Sequence, residues 1–209
     1  MKLPSLKIGD LVAKLPIIQG GMGVGVSGSK LAAAVAAQGG VGVISAVQIG
    51  YREPDFETDT LNANIRAMKN EITKARELSP EGIIGVNIMV AINHYDEMVK
   101  ACVEGSIDLI ISGAGLPMYL PKLVEGSNVK IAPIVSSGKA ATLIIKNWTK
   151  KYSRIPDLVV VEGTEAGGHL GFKREELNED TKRSLEEIVT EVIASVKPFE
   201  EEYGVAIPV

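Results

Sequence analysis

The chain alternates between short apolar runs and longer stretches in which apolar side chains recur every three or four residues. Most of the apolar runs end in glycine, serine or asparagine and lead into a helical pattern, which predicts strands alternating with helices. Because strand–helix–strand units pair their strands in parallel and turn right-handed, we expect a parallel sheet wrapped by helices. The seven predicted strands span residues 16–19, 41–45, 83–90, 109–112, 131–136, 158–162 and 205–209.

The predicted helices carry their apolar side chains on one face. The last helix has the most regular apolar stripe, from residue 185 to residue 196. Ser184 and Glu187 predict a capping box at its start, with an earlier start at residues 180–181 as the alternative, and Pro198 predicts its end. The predicted helices span residues 29–38, 61–78, 95–103, 139–150 and 185–196.

The number of units bounds the architecture. Six strand–helix units and a seventh strand fall short of the eight that close a strand–helix barrel. The sequence has no linker-like or low-complexity tract, so we predict one α/β domain over residues 1–209. We expect it to be the front part of a longer barrel, truncated in the seventh strand.

Composition narrows the function classes. The net charge of −4 comes from dispersed charges of both signs, which does not suggest a nucleic-acid partner. No apolar stretch approaches the roughly 18 residues of a membrane span, so we predict a cytoplasmic protein without a membrane partner. The single cysteine, Cys102, excludes an internal disulfide, and the two histidines have no paired ligand spacing, so we predict no metal site.

Candidate chemistry gathers at the predicted strand ends. Asn87 offers an amide donor and acceptor there, although a turn-forming asparagine is an equal alternative. The strand 158–162 leads into a segment with an acid, two adjacent glycines and His169, where a flat cofactor or small substrate can approach the backbone. The alternative for this segment is a flexible loop with a surface histidine. Because catalytic groups of strand–helix barrels collect at this face, the strand ends together favour a site.

Residues 23–28 fit the glycine pattern of a dinucleotide-binding turn, since they follow a strand and precede a helix. That motif also needs an acid after the next strand to bind the ribose, and the first carboxylate there is Glu53, beyond residues 45–50. A glycine-lined loop at the mouth of a barrel explains the same residues without the missing acid. We favour this interpretation and keep the dinucleotide turn as the alternative.

Four segments of the chain, taken from the amino terminus onward, resemble the signatures of the nitronate monooxygenase family, formerly called 2-nitropropane dioxygenase. That family includes the FMN-dependent enoyl-acyl-carrier-protein reductases. The resemblance covers essentially the whole chain, and its most specific part is the Ala-Gly-Gly-His sequence at residues 166–169. It implies a TIM-type (β/α)8 barrel that binds FMN non-covalently. The four segments are PIIQGGMG at residues 16–23, GVNI at 85–88, SGAGLP at 112–117 and EGTEAGGH at 162–169.

The resemblance also implies roles for individual residues. His169 matches the family's catalytic histidine. Positions that contact the cofactor in the family are matched by Gly21, Met22, Asn87, Glu162, Gly167 and Gly168.

The resemblance implies an FMN-dependent oxidoreductase, and we expect it to oxidise alkyl nitronates with O2. An enoyl-acyl-carrier-protein reductase, which uses NAD(P)H and an enoyl thioester, is the alternative. In the family the FMN phosphate is held largely by loops after the seventh and eighth strands, beyond this sequence. The alternative of another class is therefore an inactive truncated barrel, or an assembly partner whose sheet edge pairs with another chain. The oligomeric state stays open, a homo-oligomer included.

Overall fold

A computed structural model describes residues 3–178 and 180–209, and its main sheet has five parallel strands. Each of these strands pairs with the next one along the chain, as repeated strand–helix units require. This curved sheet with its helices confirms the predicted α/β class and barrel type. The main strands are β3 (Val41–Ser45), β4 (Ile83–Met89), β5 (Leu109–Gly113), β6 (Lys130–Val135) and β7 (Val160–Val161), after a hairpin of β1 (Leu6–Ile8) and β2 (Leu11–Ala13).

The helices follow the predicted order. Within the described residues, none of them is both long and apolar enough to cross a membrane. Two short helical elements were not predicted, the helix Leu120–Leu123 and a 3-10 turn at Arg174–Leu177, and neither was the β1–β2 hairpin. The helices are α1 (Ser29–Ala37), α2 (Thr60–Leu78), α3 (Tyr95–Glu104), α4 (Leu120–Leu123), α5 (Gly138–Tyr152) and α6 (Leu185–Tyr203).

The two outermost predicted strands do not form as strands. Residues 16–19 make only an isolated parallel bridge, between Ile18 and Val41. Residues 205–209 contribute one bond to the sheet, from the Val159 N–H to the Pro208 carbonyl at 2.8 Å. Because Pro208 has no N–H, it cannot donate to a ladder, which is why the apolar pattern there gives no strand. Of these five residues only Ile207 is buried.

Helix α6 contradicts the prediction that Pro198 ends it. The predicted capping box is present, with the Ser184 hydroxyl accepting from the Glu187 N–H and the Glu187 carboxylate accepting from the Ser184 N–H. The helix then runs through Pro198 to Tyr203, although proline removes one intrahelical donor. Phe199 is buried just beyond the proline, so packing of the apolar stripe offsets the lost bond.

The buried side chains form two layers, one between the sheet and the helices and one on the inner side of the sheet. In the inner layer Ile8 and Ala13, from the β1–β2 hairpin, join residues of β3, β5 and β6. At the hairpin turn, Asp10 pairs with Lys130, the first residue of β6, at 2.6 Å. The hairpin therefore closes the amino-terminal end of the strands, which leaves the carboxyl ends for the site.

Two helices have their first backbone N–H group bound by a carboxylate from another helix. The Ser29 N–H at the start of α1 donates to Glu71 Oε2 at 2.7 Å, and the Gly138 N–H at the start of α5 donates to Glu191 Oε1 at 2.8 Å. In each case the carboxylate comes from the next long helix along the chain. A pyrophosphate bound by the glycine turn 23–28 would need the start of α1, where Glu71 already lies. This contact argues against the dinucleotide alternative.

Candidate active site

A cavity of about 330 Å³ lies at the carboxyl ends of the parallel strands. It brings together six of the seven predicted catalytic and cofactor-binding residues. Met22 is outside this set: its side chain is about half exposed on the same loop as Gly21, and its cofactor contact stays a prediction. The predicted residues that line the cavity are Gly21, Asn87, Glu162, Gly167, Gly168 and His169.

Asn87 lies in β4 with its side chain half-buried in the cavity wall. Its backbone carbonyl accepts from the Ala46 N–H, but its side-chain amide makes no hydrogen bond to any described residue. Gly21 lies directly against it, since a Cβ added to Gly21 would be 2.6 Å from the Asn87 Cβ. Glycine at position 21 thus lets the loop of residues 19–28, the first loop, contact Asn87. The Asn87 amide keeps its hydrogen-bonding capacity for a ligand.

Two side chains hold the first loop in place. Gln19 bonds to β3 as a neighbouring strand would, because its side-chain oxygen accepts from the Val43 N–H and its nitrogen donates to the Val43 carbonyl. The buried Ser27 hydroxyl accepts from the Met22 N–H at 2.9 Å and lies 3.3 Å from the Gly20 carbonyl, to which it donates. Since the Ser45 N–H of β3 also donates to the Ser27 carbonyl at 3.0 Å, the loop that carries Gly21 is tied to the sheet at both ends.

The segment after β7 carries the glycines and the histidine. A Cβ added to Gly167 or to Gly168 would have no atom within 4 Å, so both glycines face open space, and Gly168 has a φ of +90° that favours glycine. His169 is exposed, and its ring makes no hydrogen bond or ion pair with the part of the chain that the structure describes. An imidazole with two unused nitrogens can accept and donate protons.

Glu162 follows β7 and contacts this segment directly. Its Oε2 accepts from the Gly171 N–H at 2.8 Å, and the Gly171 carbonyl accepts from the Ser136 hydroxyl at 2.7 Å. Oε2 therefore already accepts one hydrogen bond within the protein, whereas Oε1 accepts none from the described residues. The predicted contact of Glu162 with a cofactor stays a prediction.

The cavity also includes residues that the sequence did not single out as individual contacts. Gly113 and Ala114 belong to the segment 112–117 that contributes to the family resemblance, whereas Met89 and Ile134 carry no polar group that could have marked them. Ser112, at the same strand end, is fully buried and bonded to Tyr95 and to a backbone carbonyl, so it supports the fold. The further lining residues are Gly23, Ser45, Val47, Met89, Gly113, Ala114 and Ile134.

Four loops on the cavity side each contain a non-glycine residue in the left-handed region. They are Val24, Gln48, His94 and Ala114, with φ between +50° and +61°. Such conformations cost of order 1–3 kcal/mol each and persist where the surrounding structure holds them. Two further residues of this kind, Ser106 and Ser153, follow α3 and α5 instead.

A second cavity of about 550 Å³ adjoins the first, and the two share Val47 and Met89 in their walls. Its other walls come from the loops after β3 and β4 and from the starts of α2 and α3, with Leu61 and Ile92 among the apolar residues. Together the two cavities provide room for a planar group and for a substrate beside it.

A cavity at the carboxyl ends of parallel strands, lined by strand-end loops, is the site arrangement of the (β/α) barrel class. Residues 5–209 match the family model described as nitronate monooxygenase, so the chain belongs to that family and the resemblance seen in the sequence is confirmed. No curated protein matches the chain.

Solved structures agree with this assignment. FabK from Thermotoga maritima has a TM-score of 0.66 and 27% identity, over 93% of this chain and 49% of its own. Nitroalkane oxidase from Streptomyces ansochromogenes has a TM-score of 0.67 and 21% identity, over 87% of this chain and 56% of its own, and this likeness shows the fold alone. The chain thus spans about half the length of each.

Proposed function

We propose that this chain forms the cofactor-facing part of an FMN-dependent oxidoreductase that oxidises alkyl nitronates with O2. The observation that carries the proposal is the convergence of Gly21, Asn87, Gly167, Gly168 and His169 on one cavity of the family's barrel. The family is FMN-dependent, which supports the cofactor.

The cavity has the features that a flavin ring needs. Its volume of about 330 Å³ lies within the range of cofactor and ligand sites. Gly167 and Gly168 leave open space where a flat ring can lie against the backbone, and the Asn87 amide is free to bond to the polar edge of the ring. Gly21, Asn87, Glu162, Gly167 and Gly168 would hold FMN.

Bound FMN would supply the electron transfer that no side chain of the chain offers. The chain's own residues orient the substrate and handle its protons. His169, when protonated, can donate a hydrogen bond to a nitronate oxygen and attract the anion, and when neutral it can accept a proton at the ring nitrogen that carries none. Met89 and Ile134 line the same cavity with apolar surface.

A second candidate is an NAD(P)H-dependent enoyl-acyl-carrier-protein reductase. The likeness to FabK favours it, because that match has the higher identity, 27% against 21%, and covers 93% of this chain. In this reaction His169 would orient or protonate the enoyl thioester, and the adjoining cavity with Leu61 and Ile92 would receive the acyl chain.

Turnover measurements separate the two candidates. The FMN-supplemented protein is assayed with an alkyl nitronate under air and under nitrogen, and with crotonyl thioester and NAD(P)H. Oxygen consumption with the nitronate supports the proposal, and NAD(P)H oxidation that depends on the thioester supports the second candidate. Activity with neither overturns both and supports the inactive or assembly alternative.

His169→Ala is the matched variant for these assays. Because the imidazole makes no bond to the described residues, its loss should leave folding and flavin content nearly unchanged. We expect turnover to fall by roughly 10²–10⁴-fold, the usual contribution of a positioned acid or base. Turnover equal to that of the wild type would contradict the role given to His169.

A further inference from the structure

We propose that Ser136 and Glu162 act as a pair of positioning residues that clamp the Gly171 peptide and thereby set the place of His169 at the cavity. Ser136 is the last residue of the predicted strand 131–136, and the family resemblance implies that Glu162 contacts the cofactor. The importance of placing His169 rests on the proposed function, whereas the clamp itself is testable without any cofactor.

The clamp binds both backbone polar groups of Gly171, its N–H and its carbonyl. Glu162 Oε2 accepts from the Gly171 N–H at 2.8 Å, while the Ser136 hydroxyl donates to the Gly171 carbonyl at 2.7 Å. The two side chains come from the ends of neighbouring strands, since β6 ends at Val135 and β7 ends at Val161. The Glu162 N–H also donates to the Val135 carbonyl at 2.8 Å, which ties the two strand ends together.

Glycine at position 171 permits this double contact. A Cβ added there would lie 3.0 Å from Glu162 Oε2 and 3.1 Å from the Ser136 hydroxyl oxygen, so one of the two contacts would have to lengthen. The φ of Gly171 is not in the left-handed region, so close approach is the reason for a glycine here.

The clamp lies two residues from His169 at the end of an otherwise open segment. Phe172, the next residue, packs on the main core, so the chain is held at residues 171 and 172. On the other side, Gly167 and Gly168 have no neighbours that would confine them. The position of the His169 backbone is therefore set mainly from its carboxyl side, through Gly171.

Amide hydrogen exchange of the 209-residue chain tests the clamp. We expect Ser136→Ala and Glu162→Leu each to raise the exchange rate of residues 169–172 by about fivefold, the effect of losing one ordinary hydrogen bond. Amides of β4 should stay unchanged. Glu165→Gln is the matched control, because this exposed carboxylate of the same segment pairs with Lys182 and not with Gly171.

Glu162→Gln keeps a side-chain oxygen acceptor and should keep the protection, whereas Glu162→Asp is one methylene shorter and should lose it. These two variants decide the question if Glu162→Leu does not fold. Unchanged exchange in Ser136→Ala, or equal exchange in Glu162→Gln and Glu162→Asp, overturns the clamp.

Imidazole NMR signals test whether the clamp positions the histidine. The chain has only two histidines, so His94 serves as the internal reference. Ser136→Ala should shift or broaden the His169 signal and leave the His94 signal in place, and an unchanged His169 signal overturns the positioning role. Absence of FMN binding, measured separately, would overturn the proposed function and leave the clamp standing.

Discussion

Gly21→Ala tests whether the contact between the first loop and Asn87 is as close as the structure indicates. The added Cβ would be 2.6 Å from the Asn87 Cβ, whereas carbon atoms in ordinary contact are about 3.5–4.0 Å apart. The loop or β4 must therefore move by about 1 Å. Strain of this kind typically costs about 1–3 kcal/mol, which lowers the melting temperature of a chain of this length by roughly 2–12 °C.

Gly20→Ala is the matched control, because a Cβ at Gly20 would have no atom within 4 Å. We expect it to be neutral or slightly stabilising. Thermal unfolding monitored by circular dichroism gives both values. In the double variant with Asn87→Gly, which removes the clashing carbon, Gly21→Ala should cost much less. Equal melting temperatures for Gly21→Ala and Gly20→Ala would refute the proposed contact.

Three further predictions concern groups away from the cavity opening. A hydrogen bond from the Arg183 guanidinium holds the pKa of Glu191 below its ordinary value of 4.5. The stability that this contact adds is therefore present above pH 4.5 and is lost as the pH falls through the lower pKa of the folded protein. In urea titrations the difference in unfolding free energy between wild type and Glu191→Gln should be constant from about pH 7 to 5 and shrink at lower pH. Tyr95→Phe removes a buried bond to Ser112 and should cost about 1 kcal/mol, or roughly 2–4 °C in a thermal melt. Burial raises the pKa of the Cys102 thiol, so a thiol reagent should label it far more slowly in the folded protein than in urea, and equal rates would contradict its burial.

The sequence predicted the main fold because strand and helix periods differ clearly and each unit is local. The runs at residues 41–45 and 83–90 became β3 and β4, and the capping residues fixed the start of α6. Residues 16–19 and 205–209 were not predictable in the same way, because a strand needs a partner on its ladder as well as an apolar pattern. Pro198 was misleading because packing beyond it outweighs the local preference.

The candidate site was predictable where chemistry and strand ends coincide. Asn87 and His169 could be chosen because polar groups at the carboxyl ends of parallel strands converge. The contact between Ser136 and Gly171 was not predictable, because it depends on how a ten-residue segment folds back onto the neighbouring strand. Side-chain contacts of that kind arise from tertiary packing and have no periodic trace in the sequence.

FMN titration of the wild type and of Gly167→Leu, followed by flavin fluorescence, tests the central claim most directly. Gly167 faces open space in the cavity, so the leucine should fill the place of the ring while the melting temperature stays the same. We predict saturable binding to the wild type and none to Gly167→Leu. Equal binding by both proteins, or no binding by the wild type, would contradict the account.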